Sequence, residues 1–208
     1  IDELPRTYVP NVAEVNDLLQ ELDPDHPTWA VTDKPTHAGD LLPCYDFLAM
    51  DPYPVGNRGA RADISICSGW TRQARAGIRD FRPMWIVPQG FDWSWDPKGK
   101  EKAMAHVEKR LPTRAELSGM TWQAIAAGAN GLCYYSFGSL LNNLKGAAFD
   151  AAWADVVAVA REVKAEEKML LADPGPVVTD VPQGLVVRTW RDGGDAAQAR
   201  HRGRRKCC

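Results

Sequence analysis

Between residues 11 and 22, Val12, Val15, Leu18, Leu19 and Leu22 recur at helical spacing, which predicts an amphipathic helix. Asp23-Pro24-Asp25-His26-Pro27 ends it, because proline cannot continue a helix and restricts the residue before it. Short apolar runs at 28–32, 47–50, 83–87 and 131–137 predict buried strands. A weaker helical pattern covers 65–80. The best-marked helix spans 113–127: Thr113-Arg114-Ala115-Glu116 is a capping box, Leu117, Met120, Ala124 and Ile125 form its inner face, and Gly128 stops it. A long amphipathic helix is predicted over 149–171, carrying Trp153, Val156, Val157, Ala160 and Val163.

Strands alternating with crossovers imply a parallel α/β sheet, and strands apolar throughout fit a sheet covered on both faces. The first crossover, 37–46, has room for little more than a helical turn. Two architectures compete. An open doubly wound sheet usually carries a glycine-rich phosphate turn after an early strand, and none is seen here. A closed (β/α)8 TIM barrel places its chemistry just past the strand C-termini. Those positions hold Asp51 and Tyr53, then Gln89, Asp92 and Trp93, then Ser136 and Phe137, which favours the barrel. A whole barrel needs eight strands and about 250 residues. Four strands are legible in this chain, with Ile1-Asp2-Glu3 as the tail of one more.

Four segments in this order carry a family resemblance: Ile1-Asp2-Glu3; Asp51-Pro52-Tyr53-Pro54; Trp85-Ile86-Val87-Pro88-Gln89 with Phe91 and Trp93; and 111–117 leading to 128–136. Together they resemble the barrel of glycoside-hydrolase-like proteins related to the β-galactosidase and glycosyl-hydrolase clan, over roughly residues 1–172. The resemblance implies that Asp2-Glu3 ends strand four, that Glu3 is the acid/base candidate, and that the legible strands are about strands five to eight. It also implies a carbohydrate substrate. One departure matters: the clan commonly ends strand seven in a nucleophilic Glu, whereas the corresponding strand here ends in Gln89, with Asp92 the nearest carboxylate. An amide cannot serve as a carboxylate nucleophile, so either the nucleophile lies elsewhere, or the chemistry differs, or this is a non-catalytic, carbohydrate-binding relative.

Glycosidic hydrolysis needs a proton donor and a second carboxylate. Glu3 and Asp51 are the catalytic candidates, with Asp92 the third acid at a predicted strand end. Asp2, Tyr53, Gln89, Asp92, Trp93, Tyr134 and Tyr135 are the substrate-binding candidates. Each has a structural alternative. Glu3 reads equally as a terminal residue, Asp51 as a turn residue bonding local amides, and Tyr53 as a packed loop aromatic. Gln89 suits hydroxyl recognition or a buried amide tied to neighbouring backbone. Trp93 and Trp95 can stack on sugar C–H groups or cover the barrel mouth, while Trp85 suits the core. By alternation, one of Tyr134 and Tyr135 faces the interior and the other the helices.

Charge and composition add exclusions. A net charge of −2 and 45% hydrophobic residues are ordinary for a globular protein and argue against nucleic acid as the main partner. No apolar run approaches a membrane span. Cys44, Cys67, Cys133, Cys207 and Cys208 lack paired-ligand spacing, and His26 and His37 lack matching partners, so no metal and no cofactor are expected. The chain opens without Met or signal peptide.

Asp173-Pro174-Gly175-Pro176 marks a boundary. Residues 177–179 and 185–190 predict a hairpin opening a small β domain over 173–194. Residues 195–208 contain no β-branched or aromatic residue and end in a basic run, which reads as a tail out of frame or disordered; a natural basic tail, or more remotely a prenylated Cys-Cys end, are the alternatives. The fragment reading further predicts that this chain alone is inactive and self-associates through exposed strand edges.

Overall fold

The structure is a computed structural model that describes residues 2–56, 63–79, 81–93, 110–176, 178, 181–182 and 184–191. Ile1, Trp95, Val177 and Thr179 of the predicted hairpin, and the 195–208 tail lie outside the described residues.

Helix α1 (Val9–Leu22) leads into β1 (Trp29–Thr32) and β2 (Phe47–Met50). Two short 3-10 turns, Pro35–His37 and Leu42–Cys44, make the crossover between these strands, which matches its short length. Then follow α2 (Ile66–Ile78), β3 (Met84–Ile86), α3 (Arg114–Ala127) and β4 (Gly131–Leu132). Helices α4 (Phe137–Asn143), α5 (Ala147–Ala165) and α6 (Glu167–Leu170) complete the described elements. The described strands form one parallel four-stranded sheet in the order β1-β2-β3-β4. Each strand pairs with the next in sequence, as right-handed crossover units stack when a sheet grows in one direction.

Alternation along the strands divides the sheet into two faces. Ala30, Leu48, Met50, Met84 and Ile86 point to the helix side and pack with Ala74 and Ile78 of α2 and Ala124 of α3. Burying a leucine such as Leu48 completely contributes about 1.5–3 kcal/mol. The opposite face carries Val31, Ala49 and Val87, flanked by Trp29, Tyr53, Trp85 and Cys133. The sequence favoured cover on both faces; helices supply it on the first, and the second packs strand and strand-end residues against one another. Trp29, Phe47 and Trp85 form an aromatic layer there, with ring centroids 4.7 to 6.4 Å apart.

Several local expectations need correction. In α1, Val9, Val12 and Ala13 are half-buried against the core, while Val15, Leu18, Leu19 and Leu22 are exposed. The helix turns by its buried Asn16, whose amide accepts from the Thr28 hydroxyl at 2.6 Å and reaches the Pro43 carbonyl at 3.4 Å. The fourth strand ends at Leu132, not near residue 137. Ser136 caps α4 by accepting from the Ser139 amide, so the polar Ser-Phe-Gly-Ser stretch starts a helix. The long C-terminal helix breaks at Glu166 into α5 and α6. After it, the described residues include an isolated antiparallel bridge between Pro174 and Trp190. The capping box is present as read: Thr113 accepts from the Glu116 amide, and Glu116 accepts from the Thr113 amide. Gly128 closes α3 at φ 111°, a conformation that favours glycine.

Candidate functional site

The candidate residues gather at the C-terminal ends of the strands. Asp51 follows β2 directly and is 5% exposed. Its Oδ1 is buried without a hydrogen-bond partner. Burial pushes its carboxyl up to about 8, and Glu3, Asp2 and Asp33 add to the rise as like charges. A carboxylic acid in this setting keeps its proton near neutral pH.

Asp2 and Glu3 reach this place by pairing with the end of β1. Asp2 forms a parallel bridge with Val31, and the Glu3 amide donates to the Val31 carbonyl at 2.9 Å. Residues 2 and 3 thus run beside β1 in the direction of a further parallel strand. Glu3 is exposed and sits at φ 45°, in the left-handed region that non-glycine residues seldom occupy. Asp33, just past β1, was not singled out in the sequence. Its position at a strand end is the same signal that pointed to Asp51. Lys34 pairs with it at 3.3 Å.

Tyr53 lies next to these acids, and burial followed by the charges of Asp51, Asp2 and Glu3 raises its phenol well above the ordinary range. Its ring stacks on Tyr135 at 5.9 Å and meets Phe91 and Trp93 edge-on at 4.9 and 6.2 Å. Tyr134 points the other way: its hydroxyl bonds that of Thr121 on α3 at 3.0 Å. The neighbouring tyrosines therefore face opposite sides, as alternation requires.

Gln89 is fully buried. Its amide oxygen accepts from the Val55 amide at 2.9 Å, and its nitrogen donates to the carbonyls of Val55 and Phe91 at 2.9 and 3.0 Å. The Trp93 indole donates to the same Val55 carbonyl at 2.7 Å. Both residues therefore tie the loop after β2 to the loop after β3, which holds Asp51 and Tyr53 beside Phe91. Asp92 accepts from Asn143 of α4 at 3.3 Å. The structure thus joins Asp2, Glu3, Asp51 and Tyr53 with Tyr135, engages Gln89 and Trp93 in the support of that group, and turns Tyr134 away.

Among the described residues no group of three His, Cys, Asp or Glu side chains is arranged to hold a metal ion, and no described helix is long and apolar enough to cross a membrane. A separate concavity of about 480 Å³ lies beside α4 and α5, lined by Tyr134, Phe137, Leu140, Trp153 and Val156. It presents two basic side chains, Arg161 and Lys164, and no carboxylate, so it lacks a proton donor of the Asp51 kind. No protein-family model, no curated protein and no solved structure matches this chain.

Proposed function

We propose that this chain is the C-terminal half of a glycoside-hydrolase-like (β/α)8 barrel, and that Asp51 is the proton donor of its carbohydrate site. The observation that carries the reading is the Asp51 carboxyl: buried at a strand end, unpartnered at Oδ1, and held up to about 8. A general acid works best when its pKa lies near the operating pH. Glu3, which the family resemblance makes the acid, is exposed beside it and acts here as the neighbouring charge that keeps Asp51 protonated. Tyr53 and Tyr135 offer the flat surface on which a sugar ring stacks.

The half-barrel reading draws on three features. The sheet is parallel and consecutive, its helices lie on one face, and its other face carries a layer of side chains as a barrel interior does. Residues 2 and 3 continue the sheet beyond β1. The exposed Val15, Leu18, Leu19 and Leu22 of α1 mark where a neighbouring helix of the ring would pack. The open strand edges and this apolar face together favour self-association of the isolated chain.

A second reading, a carbohydrate-binding relative without catalysis, is favoured by Gln89. Its amide stands where the clan keeps a nucleophile, and every bond it makes supports the loops.

Titrating the isotope-labelled chain with a panel of neutral and charged saccharides tests both. Amide shifts centred on residues 51–56, 89–93 and 135 are expected; shifts confined to the α4–α5 concavity, or none, would overturn the carbohydrate reading. In a protein holding all eight strands, Asp51→Asn should lower aryl glycoside turnover by about 100-fold or more with KM little changed. Unchanged turnover there would leave only the binding reading.

A further inference from the structure

Two surfaces of this chain complement each other. The first is the outer face of α1, where Val15, Leu18, Leu19 and Leu22 stand between 45% and 71% exposed. Their spacing arranges them as two i to i+4 rows, Val15–Leu19 and Leu18–Leu22. Glu14 heads the second row, and Asp17–Glu21 form a third beside it. Helix α1 carries these three acids and no base, and none of the three has an ion-pair partner among the described residues. The second surface is the concavity beside α4 and α5. On α5, Trp153–Val157–Arg161 and Val156–Ala160–Lys164 are two further i to i+4 rows, and all six side chains line the concavity. Phe137 of α4, about half exposed, lines it as well. Each row of α5 ends in an exposed base. Arg161 has no ion-pair partner among the described residues, and Lys164 meets Glu167 at the surface with donors of its ammonium to spare. Glu162, next to Arg161, is turned to α3, where it accepts from Arg114 and Ser118.

A groove of this kind takes a helix whose apolar rows are bordered by acids, and α1 is such a helix. Within one chain the two surfaces belong to opposite ends of the strand order: α1 leads into β1, while α4 and α5 follow β4. We propose that the concavity is an interaction surface for a second copy of this chain, and that α1 of one copy lays its apolar rows along α5 of the other, with Asp17 and Glu21 facing Arg161 and Lys164. The same contact forms twice in a two-fold pair, since α1 of each copy meets α5 of its partner. A small amphipathic molecule in the concavity would leave the α1 face uncovered, whereas a second copy covers both. The pairing draws on these two surfaces alone, and the strand-end carbohydrate site plays no part in it.

The test is sedimentation velocity of the intact chain over a wide concentration series, with reductant present so that Cys207 and Cys208 do not link copies. The parent should pass from monomer to dimer and no further. Asp17→Lys with Glu21→Lys sets bases against bases, and Arg161→Glu with Lys164→Glu sets acids against acids; each pair of changes should weaken dimerisation about tenfold or more. All four positions are exposed, so folding is not at stake. Mixed in equal amounts, the two variants should recover dimerisation to within a few-fold of the parent, because both contacts of the mixed pair then join unlike charges. An α5 variant that dimerises as the parent does overturns the proposal in favour of α1 packing on α1. An α1 variant that does so overturns it in favour of contacts elsewhere, such as the strand edges. A mixture that fails to recover, a ladder of larger species, or a parent that stays monomeric overturns it as well.

Discussion

Trp85 lays its indole over Gly131, its register partner across the β3–β4 ladder. A Cβ at Gly131 would fall 2.5 Å from the indole ring atoms, well inside contact distance. The glycine is therefore required by a close approach, and the ring fills the inner face where the neighbouring side chain is missing. Gly131→Ala should destabilise the fold by about 1–3 kcal/mol, the usual cost of overpacking. Denaturant unfolding followed by tryptophan fluorescence checks this; an unchanged midpoint would mean that the indole relocates at little cost.

Glu116 joins the capping box to an ion pair. Arg110 donates to both of its carboxylate oxygens at 2.7 Å, and the Thr113 amide donates at 2.8 Å. The Arg110 hydrogen bond, with the cap, holds the carboxyl down to about 2 although burial opposes it. The folded value lies below the unfolded one, so this stabilisation is present above about pH 4.5 and is lost as pH falls toward 2. Glu116→Gln should therefore cost about 1–3 kcal/mol near pH 7 and close to nothing near pH 2. Thermal unfolding of both proteins across that range measures the difference.

The features that were legible in the sequence were local. The capping box needs only Thr113 and Glu116 at the right spacing, and Asp51 needs only a strand before it and prolines after it. The features that were not legible depend on partners far along the chain. Asn16 is a polar residue whose own segment gives no sign of burial, and it is buried because Thr28 and Pro43 come to meet it. Gln89 reads from sequence either as an amide for sugar hydroxyls or as one tied to backbone, and its own segment does not show that the Val55 backbone, 34 residues away, takes both ends of it. Ser136 and Phe137 read as strand because an apolar run precedes them, yet the Ser136 hydroxyl supplies a helix cap. Of the carboxyl groups that raise Asp51, the sequence names Asp2 and Glu3 and misses Asp33, which follows β1 as Asp51 follows β2.

Gln89→Leu should separate the two strand-end loops. It leaves the Val55 amide and the Val55 and Phe91 carbonyls without the amide that now satisfies them. Each such buried group costs about 1–3 kcal/mol, with Trp93 still serving one of them. Hydrogen exchange at the Val55 amide should speed by at least about tenfold, beyond any global change. Exchange that tracks global stability alone would show that Gln89 is packing rather than clamp.

Asp51 gives stability a slope of the opposite sign to Glu116. Its folded value of about 8 exceeds the ordinary unfolded value, so the folded chain keeps a proton that the unfolded chain releases. Stability should then fall as pH rises from about 4 to about 8 and level off above that. Asp51→Asn removes the slope, so the variant's melting temperature should gain on the parent's steadily over that window. A constant offset between the two would show that Asp51 ionises without penalty.

The most direct measurement is the side-chain carboxyl titration of Asp51 by carbon-detected NMR in the intact chain, with and without Glu3→Gln. A midpoint near 8 that moves down when the Glu3 charge is removed is the predicted result. A midpoint near 4, indifferent to Glu3, would contradict the claim that this strand end holds a protonated acid in readiness for a sugar.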